Sequence, residues 1–342
     1  MDGMVPYRPA RIGRQNRKGI SGSTLKLIAI GSMLIDHTAA TVLVALAEKG
    51  ASGLNYSDVQ AVNQYYAAYD WLFQLQTVMQ MIGRLAFPLF CFLLVEGITY
   101  THNKWKYVGR MAFFGLISEI PFDLAFYGQL LSWEHQNVYF TLLIGMLVVI
   151  GFQTIDGMHA QKRWMIVSSV IGAAFSGCVI SYYSRDFVYI FHAITGNDAP
   201  VKIAFAVYGL LAIIFCLVIL CIYVHSCTKK SVDTASRTVI SFAALMAGML
   251  TAELLQTDYI GFGVLTIAAM YLFRENRTKA MLSGCIALNV MSLRELPAFL
   301  DLALIHLYNG KRGLKLKYVF YVFYPAHLII LYLISYAIKA AA

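Results

Sequence analysis

Apolar runs long enough to cross a lipid bilayer recur along this chain from residue 24 to residue 338, with no soluble insert between them. That pattern constrains the fold more than any motif does. With 59% hydrophobic residues, 13% charged residues and a mean hydropathy of +0.64, the chain is too apolar for a soluble domain. In lipid every backbone polar group needs an internal partner, so helices are the expected solution. The fold class is therefore all-α and polytopic, with about 10–11 transmembrane helices around a central polar cavity. The expected spans are 24–47, 76–101, 107–127, 137–155, 165–183, 202–224, 237–255, 260–273, 280–293, 296–308 and 316–338. The stretch 280–308 reads equally as two short spans or one re-entrant hairpin.

The charges between the runs predict an orientation. Arg8, Arg11, Arg14, Arg17, Lys18 and Lys26 precede or open the first span, whereas the loop Glu48 to Asp70 carries one lysine and three acids. Later basic groups fall in every second loop, on the same side as the N-terminus: Lys104, Lys106 and Arg110, then Lys162 and Arg163, then Lys229, Lys230 and Arg237, then Arg274, Arg277 and Lys279. The positive-inside rule puts the N-terminus in the cytoplasm of a bacterial cell and the 48–75 loop outside. Residues 1–23 form a basic arm, read as disordered over 1–20, at the anionic leaflet; 24–342 form one transmembrane domain. The net charge of +9 follows mostly from such loops, so nucleic acid is not an implied partner. The first span is too long for a cleavable signal peptide and carries two ionisable residues. Six cysteines without ligand spacing predict free thiols and no metal site.

Those two residues, Asp36 and His37, stand out. His37 lies thirteen residues beyond Thr24, about 20 Å into a core roughly 30 Å thick. Intramembrane ionisable groups are expensive and mark function by default. Glu119 and Asp123, one turn apart across Pro121, sit at similar depth, as does His327 in the last span. Arg84 and Glu253 occupy the outer halves of their spans. Arg84 needs a carboxylate partner, for which Asp36, Glu119, Asp123 and Glu253 are the candidates. A single pair of this kind usually fixes helix packing; the whole set points to a water-accessible cavity. The connection Asn309 to Lys317 packs Lys311, Arg312, Lys315 and Lys317 around two glycines, a pattern suited to phosphate. No P-loop, GxGxxG, HExxH or GxSxG motif is present.

The segments LKLIAIGSMLIDHTAA (25–40), MIGRLAFPLFCFLLVEGITYT (81–101), GRMAFFGLISEIPFDLAF (109–126), QNVYFTLLIGM (136–146), TDYIGFGVL (257–265), LYNGKRG (307–313) and KYVFYVFYPAHLIILYL (317–333) resemble the TraX family. The likeness runs from about residue 24 to 338. That family is named for a membrane enzyme that N-acetylates a conjugative pilin, and is similar in architecture to the wider transmembrane acyltransferases. The resemblance implies an acyltransferase that takes an acyl group, expected to be acetyl, from cytoplasmic acetyl-CoA. The implied acceptor is an amine or hydroxyl of a small molecule, glycan or peptide N-terminus reached from the membrane or the far side. It puts His37 in the catalytic position beside Asp36.

The residues accommodate that chemistry, which needs a base of near-neutral pKa and donors for a developing oxyanion. His37 is the expected base, with His327 the alternative. Asp36 is turned about 100° from it on a helix and is expected to pair with Arg84, while Glu119 or Asp123 completes the imidazole network. Lys26, Lys311, Arg312 and Lys315, with Tyr324 on the thioester path, are the expected CoA-binding groups. Asn137, Tyr139 and Thr141 are expected to line the acceptor entrance. A second class, a proton-coupled transporter relaying through His37, Glu119, Asp123 and Glu253, would show inverted repeats; no convincing repeat is found.

Overall fold

The computed structural model describes residues 19–195, 201–314 and 317–341. The chain is a helical bundle, and side-chain caps mark where several of its helices begin. The first helix, α1 (Gly22–Gly50), starts at Ser21, whose hydroxyl accepts from the Thr24 amide at 3.3 Å. It is interrupted by one π turn at Ala39–Leu43. Asp58 caps α2 (Val59–Gly83), and a break at Arg84 and Leu85 leads into α3 (Ala86–Tyr100). Asn103 opens α4 (Lys104–Tyr127) and Asn137 opens α5 (Val138–Asp156). Then follow α6 (Lys162–Thr195), α7 (Val201–Lys229), α8 (Val232–Leu254), α9 (Ile260–Leu272) and α10 (Arg277–Met291). A 3-10 segment, Leu293–Leu300, joins α10 to the short α11 (Asp301–Leu307), and α12 (Lys317–Ala340) ends the chain.

Among the described residues, seven helical stretches are long and apolar enough to cross a membrane, with α2 and α3 counted as one bent stretch. Two expectations change in detail. The stretch assigned to an outer loop up to residue 75 is helical from Val59, and α2 runs alongside α1, with the Tyr65 hydroxyl on the Ala47 carbonyl at 2.8 Å. The 280–308 region is one hairpin whose two ends meet: Arg277 and Tyr308 both bind Glu96, at 3.6 Å and 2.7 Å. Its first arm has 15 residues, about 22 Å, which falls short of a core roughly 30 Å thick.

Two faces follow from the connections. Residues 101–103, 157–161, 273–276 and 308–314 share a face with the start of α1, the basic face. Residues 51–58, 128–137 and 255–259 lie opposite. At the opposite face Gln136 bridges to Thr257, with the Asp258 amide donating to the Gln136 carbonyl at 2.9 Å. There α12 also ends beside α1, Lys339 pairing with Glu48 at 2.6 Å.

The core centres on α9, which packs against α3, α5, α8 and α10 and buries Val264, Ile267, Ala268 and Met270 completely or nearly so. By contrast, the described part of α7 is apolar on every side and only 6% buried, as a helix facing lipid would be. The basic arm lies outside the described residues up to 18. Gly19 and Ile20, assigned to that arm, are instead paired with Leu307 to Asn309, the Ile20 amide donating to Leu307 at 3.1 Å.

Candidate active site

Three side-chain layers run through the bundle from one face to the other. The first is a cavity of about 520 Å³ near the basic face, within the size range of small-molecule sites. Lys26, Arg110, Arg277 and Arg312 line it, against one carboxylate, Glu96. That carboxylate is already engaged by Arg277 and by the Tyr308 hydroxyl, which leaves the cationic charge in excess. Aromatic rings hold three of the cations: Lys26 lies 5.2 Å from the centre of Phe320, Arg277 lies 4.8 Å from that of Tyr308, and Arg110 lies 5.6 Å from that of Tyr107. Gly310, at φ +74°, leaves room for Arg277, because a Cβ there would collide with its guanidinium. The burial of the Tyr308 phenol, and the Glu96 carboxylate beside it, push its pKa up.

The expected phosphate loop is built differently from its sequence reading. Its carbonyls cap α1: Lys311 and Arg312 accept from the Gly22 and Ser23 amides at 2.8 and 3.0 Å. The Leu314 amide in turn donates to the Ser23 hydroxyl at 3.0 Å. These bonds commit the loop's backbone to α1. Arg312 lines the cavity, the Lys311 side chain is exposed and is not among the lining residues, and Lys315 lies outside the described residues. Arg110 and Arg277, which the sequence reading assigned only to topology, are the further cations here.

The second layer is aromatic and contains both histidines. Tyr139 and Tyr321 wall the cavity. Tyr324 meets Tyr139 edge-on at 5.1 Å and His37 at 6.0 Å. His37 Nδ1 lies 2.7 Å from His327 Nε2, with the ring planes 6° apart. Phe126 closes the other side of His37 at 5.4 Å. The π turn begins two residues after His37, and Thr41 donates its hydroxyl to the His37 carbonyl at 2.6 Å. Single π turns inside α-helices are frequent at functional sites. The hydrogen-bonding partner of His37 is thus His327, in place of the expected Glu119 or Asp123.

The third layer is ionic and lies toward the opposite face. Arg84 at the α2–α3 break pairs with Glu295 at the hairpin tip, 3.2 Å away. None of the four candidate carboxylates is that partner; Glu295 falls between the expected spans 280–293 and 296–308. Asp36 and Asp258 remain electrostatic neighbours of Arg84. One Asp36 oxygen is buried without a hydrogen-bond partner, and Gly83 is packed so closely that a Cβ would strike this carboxylate. The adjacent Asp36 and His37 therefore belong to different layers.

The remaining expected residues hydrogen-bond within the bundle, away from the two histidines. Glu119 accepts from the Asn137 side chain and from its amide, and Asp123 accepts from the Ser132 amide at 2.8 Å. Asn137 and Thr141, expected at an acceptor entrance, are fully buried. Asn137 ties α5 to the Gly115 carbonyl of α4 at 2.9 Å, and Thr141 donates to the Asp258 carbonyl. Tyr139 faces the basic-face cavity. Glu253 accepts from Tyr183 at 3.3 Å, outside the three layers.

The comparison that decides the family covers every one of these layers. A family model described as TraX protein matches residues 21–222 and 186–335. The chain belongs to the TraX family. A relative of this TraX chain is the probable fimbrial assembly protein FimC, serogroup H1, of Dichelobacter nodosus, 26% identical over 322 residues. The match spans 91% of this chain and 94% of that protein. No solved structure matches.

Proposed function

We propose that this TraX protein is a membrane acyltransferase. It takes an acyl group, in the first instance acetyl, from acyl-CoA at the basic face and passes it to an amine or hydroxyl acceptor. The basic face would be cytoplasmic, in a bacterial inner membrane, as the loop charges favour. The observation that carries the reading is the cavity itself: Lys26, Arg110, Arg277 and Arg312 at one end and the His37 layer one ring beyond the other. Cations there suit the CoA phosphates, the aromatic walls suit an apolar acyl arm, and the thioester would arrive beside an imidazole.

The acceptor's lone pair forms the bond to the thioester carbon while His37 Nε2 takes its proton. The C–S bond then breaks, and the departing thiolate takes a proton back from His37. That one relative is named as a fimbrial assembly protein supports an acceptor in that setting. Acetyl-CoA added to purified protein should bind and release free CoA slowly, with water as acceptor. Replacing Lys26 and Arg277 together by alanine should weaken binding at least tenfold, since charge-assisted contacts contribute about 1.5–3 kcal/mol each. Unchanged affinity in that double variant would remove the cavity from the proposal.

A further inference from the structure

We infer that His327 is a positioning residue: it fixes His37 as the Nδ1-protonated tautomer and so leaves the Nε2 lone pair of His37 bare as the base. The role in turnover rests on the proposed function above; the tautomer follows from the hydrogen-bond geometry together with the neutrality of both rings. His327 Nδ1 lies 2.7 Å from the Phe323 carbonyl oxygen, one turn earlier in α12. A carbonyl only accepts, so His327 Nδ1 carries the proton. In a neutral imidazole the other nitrogen is then an acceptor. That nitrogen, Nε2, is 2.7 Å from His37 Nδ1. His37 Nδ1 must therefore donate, and with its one proton placed there His37 Nε2 has none.

The surroundings favour two neutral rings. Phe323 stacks on His327 at 4.7 Å, Phe126 and Tyr324 flank His37, and His327 is only 4% exposed. Among the described residues no carboxylate is hydrogen-bonded to either imidazole. A cation among aromatic walls without such a partner would carry a large desolvation cost. An orienting group on the second nitrogen is the usual companion of a catalytic imidazole. Here a neutral histidine fills that place, itself anchored by a backbone carbonyl, so that no buried charge is needed.

The test reads the tautomer directly. Nitrogen-15 NMR of histidine-labelled protein in micelles, assigned with His37→Gln and His327→Gln, should show His37 with a protonated Nδ1 and a bare Nε2. Turnover of acetyl-CoA by water then probes the role. His327→Gln keeps an acceptor oxygen near the position of Nε2 and should hold kcat within about tenfold of the parent. His327→Asn cannot reach that position and should lose at least about 10²-fold in kcat, the low end for a disabled general base, with KM for acetyl-CoA unchanged. A proton on His37 Nε2 in the resting protein, or equal kcat in the Gln and Asn variants, overturns the inference. Full turnover by His37→Ala instead overturns the reading of His37 as base, whichever tautomer is found.

Discussion

Removing Arg84 should harm the fold far more than removing its ion-pair partner. The pair joins the α2–α3 break to the hairpin tip, and its side chains are 27% and 4% exposed for Arg84 and Glu295. Asp36 and Asp258 face the same guanidinium. In Arg84→Met three carboxylates lose their cation at once. Breaking a buried pair from one side costs about 3–5 kcal/mol, and here the full range applies. Glu295→Gln leaves Arg84 with Asp36 beside it and keeps an acceptor oxygen. The loss is then nearer that of one charge-assisted hydrogen bond, about 1.5–3 kcal/mol. The two variants should therefore differ by about 2 kcal/mol. Unfolding in mixed detergent micelles, followed through the four tryptophans, measures the difference. Equal losses, or a larger loss in Glu295→Gln, would refute the picture of one cation shared by three carboxylates.

Three further outcomes are expected. Gly310→Ala should weaken acetyl-CoA binding severalfold by displacing Arg277; calorimetric titration against the parent checks this, and equal affinity counts against it. Burial pushes the Asp258 carboxyl from its ordinary 3.8 up to about 6, with Asp36 acting in the same direction and Arg84 and His135 against it. The folded state therefore holds an extra proton between those values, stability falls as pH rises through that window, and Asp258→Asn should flatten this slope in melting curves. Single cysteines at Asn55 and Lys230, in a cysteine-free background, should be labelled from outside intact cells at 55 only; the reverse pattern would invert the side assigned to CoA.

Much of the architecture was legible because the bilayer imposes it. Apolar length gave most helices, and basic loops gave the common face of residues 101–103, 273–276 and 308–314. What sequence could not resolve was pairing across the bundle. Arg84 had several carboxylates at comparable depth, and nothing local distinguishes Glu295, which sits on a 3-10 turn beside Pro297. Likewise, depth along a helix brought His37, Glu119 and His327 to one level but said nothing of azimuth. In three dimensions His327 faces His37, whereas Glu119 turns to Asn137. The loop at Lys311 looked like a phosphate cradle on composition alone. Its carbonyls cap α1, and the cavity cations Arg110 and Arg277 come from helices whose charges had already been explained by topology. Asn137 and Thr141 were polar residues near a helix start, a pattern shared by binding residues and by caps.

The proposed function requires that acyl-CoA in the basic-face cavity deliver its acyl group beside His37. Radiolabelled acetyl-CoA turnover and equilibrium binding, measured on the same preparation of purified His37→Ala, test it most directly. Binding should stay within about twofold of the parent, with release of labelled acetate lowered by at least about 10²-fold. Undiminished acetate release in a variant that still binds acetyl-CoA would contradict it.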